Sequence, residues 1–254
     1  MLKDGEEIFD LQCDGLKIIQ HPAGYAFTTD AVLLANSVRA SAGDNVLELG
    51  AGSGVISLLI SKKTRAKHIT ALELQPRLAD MARRSVELNS LSGRIDVVEG
   101  DIAEMRTMFT KTFDVICTNP PYAVFTGDPE SATETEICKS EVMITLPVLI
   151  ENAARALKYG GKFYIIIKAE RLTDLIYNMR LNLIEPKVLT PVQPTAEKDI
   201  DTVIVTGIKN GRSGIKVTKP LVINGADGNY TEEVRRMYFN DGKAIRSGNA
   251  DRQP

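Results

Sequence analysis

Asn45-Val46-Leu47-Glu48-Leu49-Gly50-Ala51-Gly52-Ser53-Gly54-Val55-Ile56-Ser57-Leu58-Leu59-Ile60 is the stretch whose reading decides the fold. Asn45–Leu49 reads as a buried strand, the alternating glycines as a tight turn, and Val55 onward as the start of a helix. Strand, glycine-rich turn and helix form the first half of a nucleotide-binding crossover. Glycine lacks a Cβ, so the backbone turns sharply and a ligand can approach it closely.

Working outward, a second strand at His68–Leu72 ends in Glu73, about 20 residues past the turn, where such folds hydrogen-bond ribose hydroxyls. A helix over 76–90 follows, with Pro76 suited to its first turn. A third strand, Arg94–Val98, runs toward Gly100-Asp101-Ile102. The fourth, Phe113–Thr118, is stopped by Asn119-Pro120-Pro121-Tyr122, because proline donates no ladder hydrogen bond. The polar loop 123–139 has no clear period and suits either a substrate lid or a disordered segment without function. The pattern then continues with a helix from about 140 to 158 stopping at Gly160-Gly161, a strand at Lys162–Ile167, a helix at 170–182 and strands at Lys187–Val192 and Thr202–Ile208. Ahead of the glycine turn, residues 1–24 read as irregular apart from a strand at Leu16–Gln20, and Asp30 is placed to cap a helix carrying Val32, Leu33 and Leu34. Strands alternating with helices predict an α/β fold with a mostly parallel sheet covered on both faces.

The four strand tips carry the candidate chemistry. On its own Asn-Pro-Pro reads as a turn. At the tip of a buried strand, the Asn119 side-chain oxygen and the Pro120 carbonyl can together accept both hydrogens of an amine, and Tyr122 can lie against the ring bearing it. The dinucleotide fingerprint requires Gly or Ala at its sixth position, whereas counting from Gly50 reaches Val55 and from Gly52 reaches Ser57. A nicotinamide-dependent oxidoreductase is therefore the lesser reading, and the missing Walker lysine argues against ATP. S-adenosylmethionine remains. Glu73 would take its ribose, Asp101 its adenine edge, and Ile102 the ring face. Glu73 and Asp101 are otherwise read as exposed loop acids.

Composition narrows the setting. The 254-residue chain has no apolar run of membrane-spanning length and no signal-peptide pattern at its start. Its three cysteines and two histidines lack metal-ligand spacing, so no metal is expected and a reduced, cytoplasmic setting fits. Charge is uneven. Residues 1–154 carry 14 Lys/Arg against 22 Asp/Glu, residues 155–220 carry 12 against 6, and the tail carries 5 of each. The later part of the chain can thus offer a basic surface to RNA phosphates, or simply a solvated set of lysines.

Glu48-Leu49-Gly50-Ala51-Gly52-Ser53-Gly54, Glu73, Gly100-Asp101-Ile102 and Asn119-Pro120-Pro121-Tyr122, in this order and spacing, resemble the class I S-adenosylmethionine-dependent methyltransferases that act on amino groups. The flanks Leu16–Gln20, Phe27–Leu34, Lys219–Ile223 and Gly228–Glu233 are similar to those of the bacterial tRNA (valine) adenine-37 N6-methyltransferases. This resemblance spans roughly residues 15 to 235. One step departs: Lys139-Ser140-Glu141 stands where such enzymes commonly show a basic residue, His and Glu. The resemblance implies a Rossmann-like fold with a seven-stranded, mostly parallel sheet, divided into a leader and capping helix (1–40), a methyltransferase domain (41–210) and a C-terminal extension (211–254). It implies cofactor contacts at Asp30, Glu48, Gly50, Gly52, Gly54, Glu73, Leu74, Asp101, Ile102 and Asn119, and acceptor chemistry at Asn119, Pro120 and Tyr122. The partner the resemblance implies is a tRNA, with no membrane and no oligomer required. A guanine N2 or a protein glutamine amide is the alternative acceptor.

Overall fold

A computed structural model of the chain describes residues 2–22, 28–120 and 144–238. Its centre is a nine-stranded sheet built on the crossover expected from the glycine turn. The strands are β3 (Asn45–Leu49), β4 (His68–Glu73), β5 (Ile95–Glu99), β6 (Phe113–Thr118), β7 (Leu157–Lys168), β8 (Ile184–Gln193), β9 (Thr202–Lys209) and the short β10 (Lys216–Val217) and β11 (Leu221–Val222). They lie in the order β10-β8-β9-β7-β6-β3-β4-β5, with β11 also on β8. Neighbours from β5 to β7 are parallel, and β9 runs antiparallel to both β7 and β8. The seven long strands match the seven-stranded expectation, and β10 and β11 widen the sheet by a short margin.

Alternation along the strands divides the core between two faces. Val46, Val115, Cys117 and Ile166 join one cluster with Leu33 and Leu34 of α1 (Thr29–Ser37) and Leu58 and Leu59 of α2 (Val55–Lys63). Leu47, Leu49, Ile116 and Phe163 join the other, with Leu149 and Ile150 of α4 (Leu146–Ala156) and Leu175 and Met179 of α5 (Leu172–Leu181). The first cluster also takes in Leu11, Leu16 and Ile18 from the leader and Leu221 and Val234 from the C-terminal part. The leader and the C-terminal helix α6 (Glu232–Tyr238) therefore share a core with the sheet.

Several expectations are corrected. Residues 1–24 are not irregular with one strand. Glu7–Asp10 forms β1, which pairs antiparallel with β2 (Lys17–Gln20) in a separate hairpin. The hairpin docks on α3 (Pro76–Leu88), where Asn89 at the helix end accepts from the Lys17 N–H at 2.9 Å and donates to the Lys17 carbonyl at 2.6 Å. The fourth helix, expected from about 140 to 158, is shorter among the described residues. It begins at Leu146, with Pro147 in its first turn, and ends at Ala156, because Leu157 is extended and already belongs to β7. Gly160 and Gly161 instead sit in a register shift of β7 against β6, with Gly160 at φ 72°. Asp30 does not cap α1. Thr28 is its N-cap, and Asp30 is an acid within the first turn. The polar loop 123–139, with Pro121 and Tyr122 before it, lies outside the described residues.

Candidate cofactor and acceptor site

The strand order reverses between β3 and β6, and crevices at such points hold ligands in open α/β sheets. Register brings the predicted tips together there. Leu49 pairs with Leu72 on one side and Thr118 on the other, and Glu73 pairs with Glu99. Gly50, Leu74, Gly100 and Asn119 consequently leave four adjacent strands at one end of the sheet. The tips are also stitched by hydrogen bonds. The N–H groups of Gly50 and Ala51 donate to the Leu72 carbonyl at 2.9 and 3.0 Å, that of Gly100 donates to the Glu73 carbonyl at 2.9 Å, and the Thr118 hydroxyl donates to the Leu49 carbonyl at 3.0 Å.

Gly50, Gly52 and Gly54 all adopt positive φ, at 68°, 55° and 89°. A Cβ added at Gly50 or Gly52 would meet no atom of the described residues within 4 Å, so the turn borders open space there. At Gly54 a Cβ would stand 3.2 Å from that of Ala82, so this glycine serves helix packing as well as the turn.

Glu73 does more than mark the end of β4. It is 5% exposed, accepting the Gly52 N–H at 2.7 Å on Oε2 and the Gln75 N–H at 2.9 Å on Oε1. The carboxylate thus ties the end of β4 to the glycine turn through backbone N–H groups on both of its oxygens. Asp101, half-buried, accepts the Ala103 N–H at 2.7 Å on Oδ1 and so starts the turn after β5. Ile102 is buried in the same cluster as Leu49, Leu72 and Met105, which fixes its position by packing. Asn119 is half-buried and Pro120 is buried.

Glu48 points into the core from β3 and is wholly buried. The Ser57 N–H donates to its Oε2 at 2.8 Å and the Ser57 hydroxyl donates to the same oxygen, while Oε1 has no hydrogen-bond partner among the described residues. Burial, reinforced by the charge of Glu73, pushes its pKa up to about 8 against the opposing bonds from Ser57. Sequence reading passed over the part played by Ser57. The available signal was a hydroxyl set in an otherwise apolar first helical turn, nine positions after a strand acid.

Open glycine turn, tip carboxylate and adjacent amide fit a nucleoside-bearing cofactor with an acceptor beside it. Comparison with known proteins agrees. The family model described as "Methyltransferase small domain" matches residues 25–182. This chain belongs to that methyltransferase family. Relatives named tRNA1(Val) (adenine(37)-N6)-methyltransferase include one from Haemophilus influenzae, 27% identical over 85% of this chain and 90% of its own length. Another, from a Flavobacteriaceae bacterium, is 29% identical over 58% of this chain, and this match spans 62% of that relative's length. In a third, from Glaesserella parasuis, the match spans 39% of the relative's length, at 36% identity. Among solved structures, a predicted O-methyltransferase from Agrobacterium tumefaciens superposes with a TM-score of 0.66 at 24% identity, covering 87% of this chain and 100% of that one. The geranyl diphosphate C-methyltransferase of Streptomyces coelicolor reaches 0.54 at 11% identity, covering 71% and 79%. Methyltransferases named for oxygen and carbon acceptors share this architecture, so the fold does not choose the acceptor.

Proposed function

We propose that this methyltransferase is an S-adenosylmethionine-dependent N-methyltransferase that modifies N6 of adenine 37 in the anticodon loop of a tRNA, acting in the cytoplasm. The observation that carries the reading is the emergence of Asn119 next to the glycine turn, one residue beyond the Leu49–Thr118 pairing. The names of the relatives that match most of the chain supply the acceptor. Residues 41–210 would carry the reaction, with the leader and the C-terminal extension completing the fold around it.

S-adenosylmethionine, when bound, supplies a methyl group that is already electrophilic. The chain's part is therefore to place and orient the acceptor. Gly50, Gly52 and Gly54 would line the cofactor's path, with Glu73 and Leu74 at its ribose and Asp101 and Ile102 at its adenine. Asp30 and Glu48 complete the proposed set. The Asn119 side-chain oxygen and the Pro120 carbonyl would accept the two N–H groups of the amine, aim its lone pair and stabilise positive charge appearing on nitrogen. Tyr122 would stack on a base taken out of its own stack, as enzymes acting on a base require. An anticodon-loop nucleotide is accessible to such a pocket.

The test is transfer from S-adenosylmethionine to bulk tRNA lacking the modification, followed by nucleoside mass analysis. N6-methyladenosine is the expected product. N2-methylguanosine, or transfer to a protein glutamine with none to RNA, would overturn the acceptor assignment.

A further inference from the structure

We infer that the β1–β2 hairpin belongs to the cofactor site, with Gln20 acting through Ser53 as a positioning residue for the glycine turn. The inference rests on the reading of that turn as the cofactor's seat.

Three of the five residues from Gly50 to Gly54 are glycines with positive φ and a fourth is Ala51. Glycines leave a backbone free to wander, and one internal bond closes this turn, the Gly54 N–H donating to the Ala51 carbonyl at 2.9 Å, so bonds imposed from outside it add to its definition. On one side the backbone is held, with Gly50 and Ala51 on the Leu72 carbonyl and Gly52 on Glu73. Ser53 is the one residue of the five with a polar side chain. Its hydroxyl accepts a hydrogen bond from Gln20 Nε2 at 2.9 Å, and both residues are buried, at 8% and 3% exposure.

Gln20 is the last residue of β2 and comes from outside the sheet altogether. Burying a long polar side chain at a strand end is unfavourable unless the amide finds a partner, and its partner here is the turn. The strand delivering it is clamped along its length. Asn89 grips both backbone groups of Lys17, and the Ile19 N–H donates to the Ser85 hydroxyl at 2.9 Å. Arg84 forks onto both oxygens of Glu6 at 2.6 and 2.7 Å and also binds Asp80 at 2.7 Å. That arginine joins the approach to β1 to α3, the helix that follows Glu73. The turn is thus gripped by Glu73 from β4 and by Gln20 from the hairpin, and α3 ties the two grips together.

The test is calorimetric titration of the full chain with S-adenosylhomocysteine. The variants are Gln20→Met, which keeps the length and loses the amide, Ser53→Ala, Ser53→Thr and the double variant Gln20→Met/Ser53→Ala. Each of Gln20→Met and Ser53→Ala is expected to weaken binding by about five- to tenfold, the worth of one buried hydrogen bond. The double variant should be no weaker than the worse single, and Ser53→Thr, which retains a hydroxyl, should stay near wild type. A purely structural role would lower thermal stability while leaving affinity at the wild-type level, and additive losses would mean that the two side chains act on the site independently. Additive losses, or Gln20→Met binding as wild type does, would overturn the inference while the cofactor reading stands. Failure of the wild-type chain to bind at all would overturn the cofactor reading itself.

Discussion

Glu48 sits out of solvent with one carboxyl oxygen serving Ser57 and the other meeting no partner among the described residues, and its pKa is raised to about 8 chiefly by burial. A carboxyl whose folded-state pKa exceeds its unfolded value contributes stability that is full below about 4.5 and is lost as pH rises through 8. The ligand-free protein should therefore lose stability from about pH 5 to pH 8.5, and Glu48→Gln should flatten that slope while keeping an acceptor for Ser57. Thermal melts across the window decide it, and an unchanged slope in the variant would assign the loss to other groups. Asn119 makes a different prediction, because the role proposed for its amide is toward the acceptor and not the cofactor. Asn119→Ala should cut single-turnover transfer on the order of 100-fold or more, with cofactor affinity within about twofold of wild type. A fully active variant would remove its role. The strand-tip residues were legible in the sequence because each follows an apolar run that ends abruptly. Ser53 and Gln20 were not, because what pairs them is tertiary contact across 33 positions.

At the scale of elements, the reading succeeded where burial is two-sided and failed where pairing or packing alone makes the structure. β3, β4 and β6 are nearly all buried, and their apolar runs announce them. β1 is mostly exposed, with Ile8 at 45%, and it is a strand because Ile18 and Ile19 opposite it are held in place. No hydrophobic alternation betrays it. The early end of α4 is similar. Leu157 and Lys158 favour a helix as well as any residues do, yet Lys158 is drawn to Asp114 at 2.8 Å and Leu157 pairs with Phe113, so the sheet captures them. The C-terminal helix α6 shows tertiary anchoring most plainly. It is seven residues long, too short to persist alone, and its Val234 is fully buried in the core beneath α1. Tyr238 stacks on Tyr230 at 5.2 Å, and the Met237 carbonyl accepts from Asn36 at 3.1 Å and Lys63 at 2.6 Å. Val234→Ala should cost about 2 kcal/mol in urea denaturation. A negligible change would mean that α6 is held by these polar contacts instead of its buried valine.

Across the whole molecule, charge follows the sheet. The strands β3 to β6 belong to the segment with 14 basic against 22 acidic residues, while β7 to β10 belong to the segment with 12 against 6. The strand order puts the boundary between these segments at the β6–β7 pairing, so the β3–β6 crevice and the proposed site lie in the acidic half, with the basic half beginning one strand beyond Asn119. A polyanion can be gathered on such a basic flank only by local attraction, since the chain as a whole carries a net charge of −2. Attraction of this kind releases counterions and weakens steeply with salt, whereas a small cofactor held by backbone bonds and one carboxylate does not behave so. Raising salt from about 50 to 200 mM should therefore increase KM for tRNA by at least tenfold and leave KM for S-adenosylmethionine nearly level. Lys216 and Lys219, both exposed at the β8–β10 edge, give the matching substitution. Lys216→Glu with Lys219→Glu should raise KM for tRNA several-fold, lessen its salt dependence and leave cofactor affinity alone. A tRNA KM indifferent to both changes would move the RNA off this edge and require the acidic half, with its scattered arginines, to receive the phosphates.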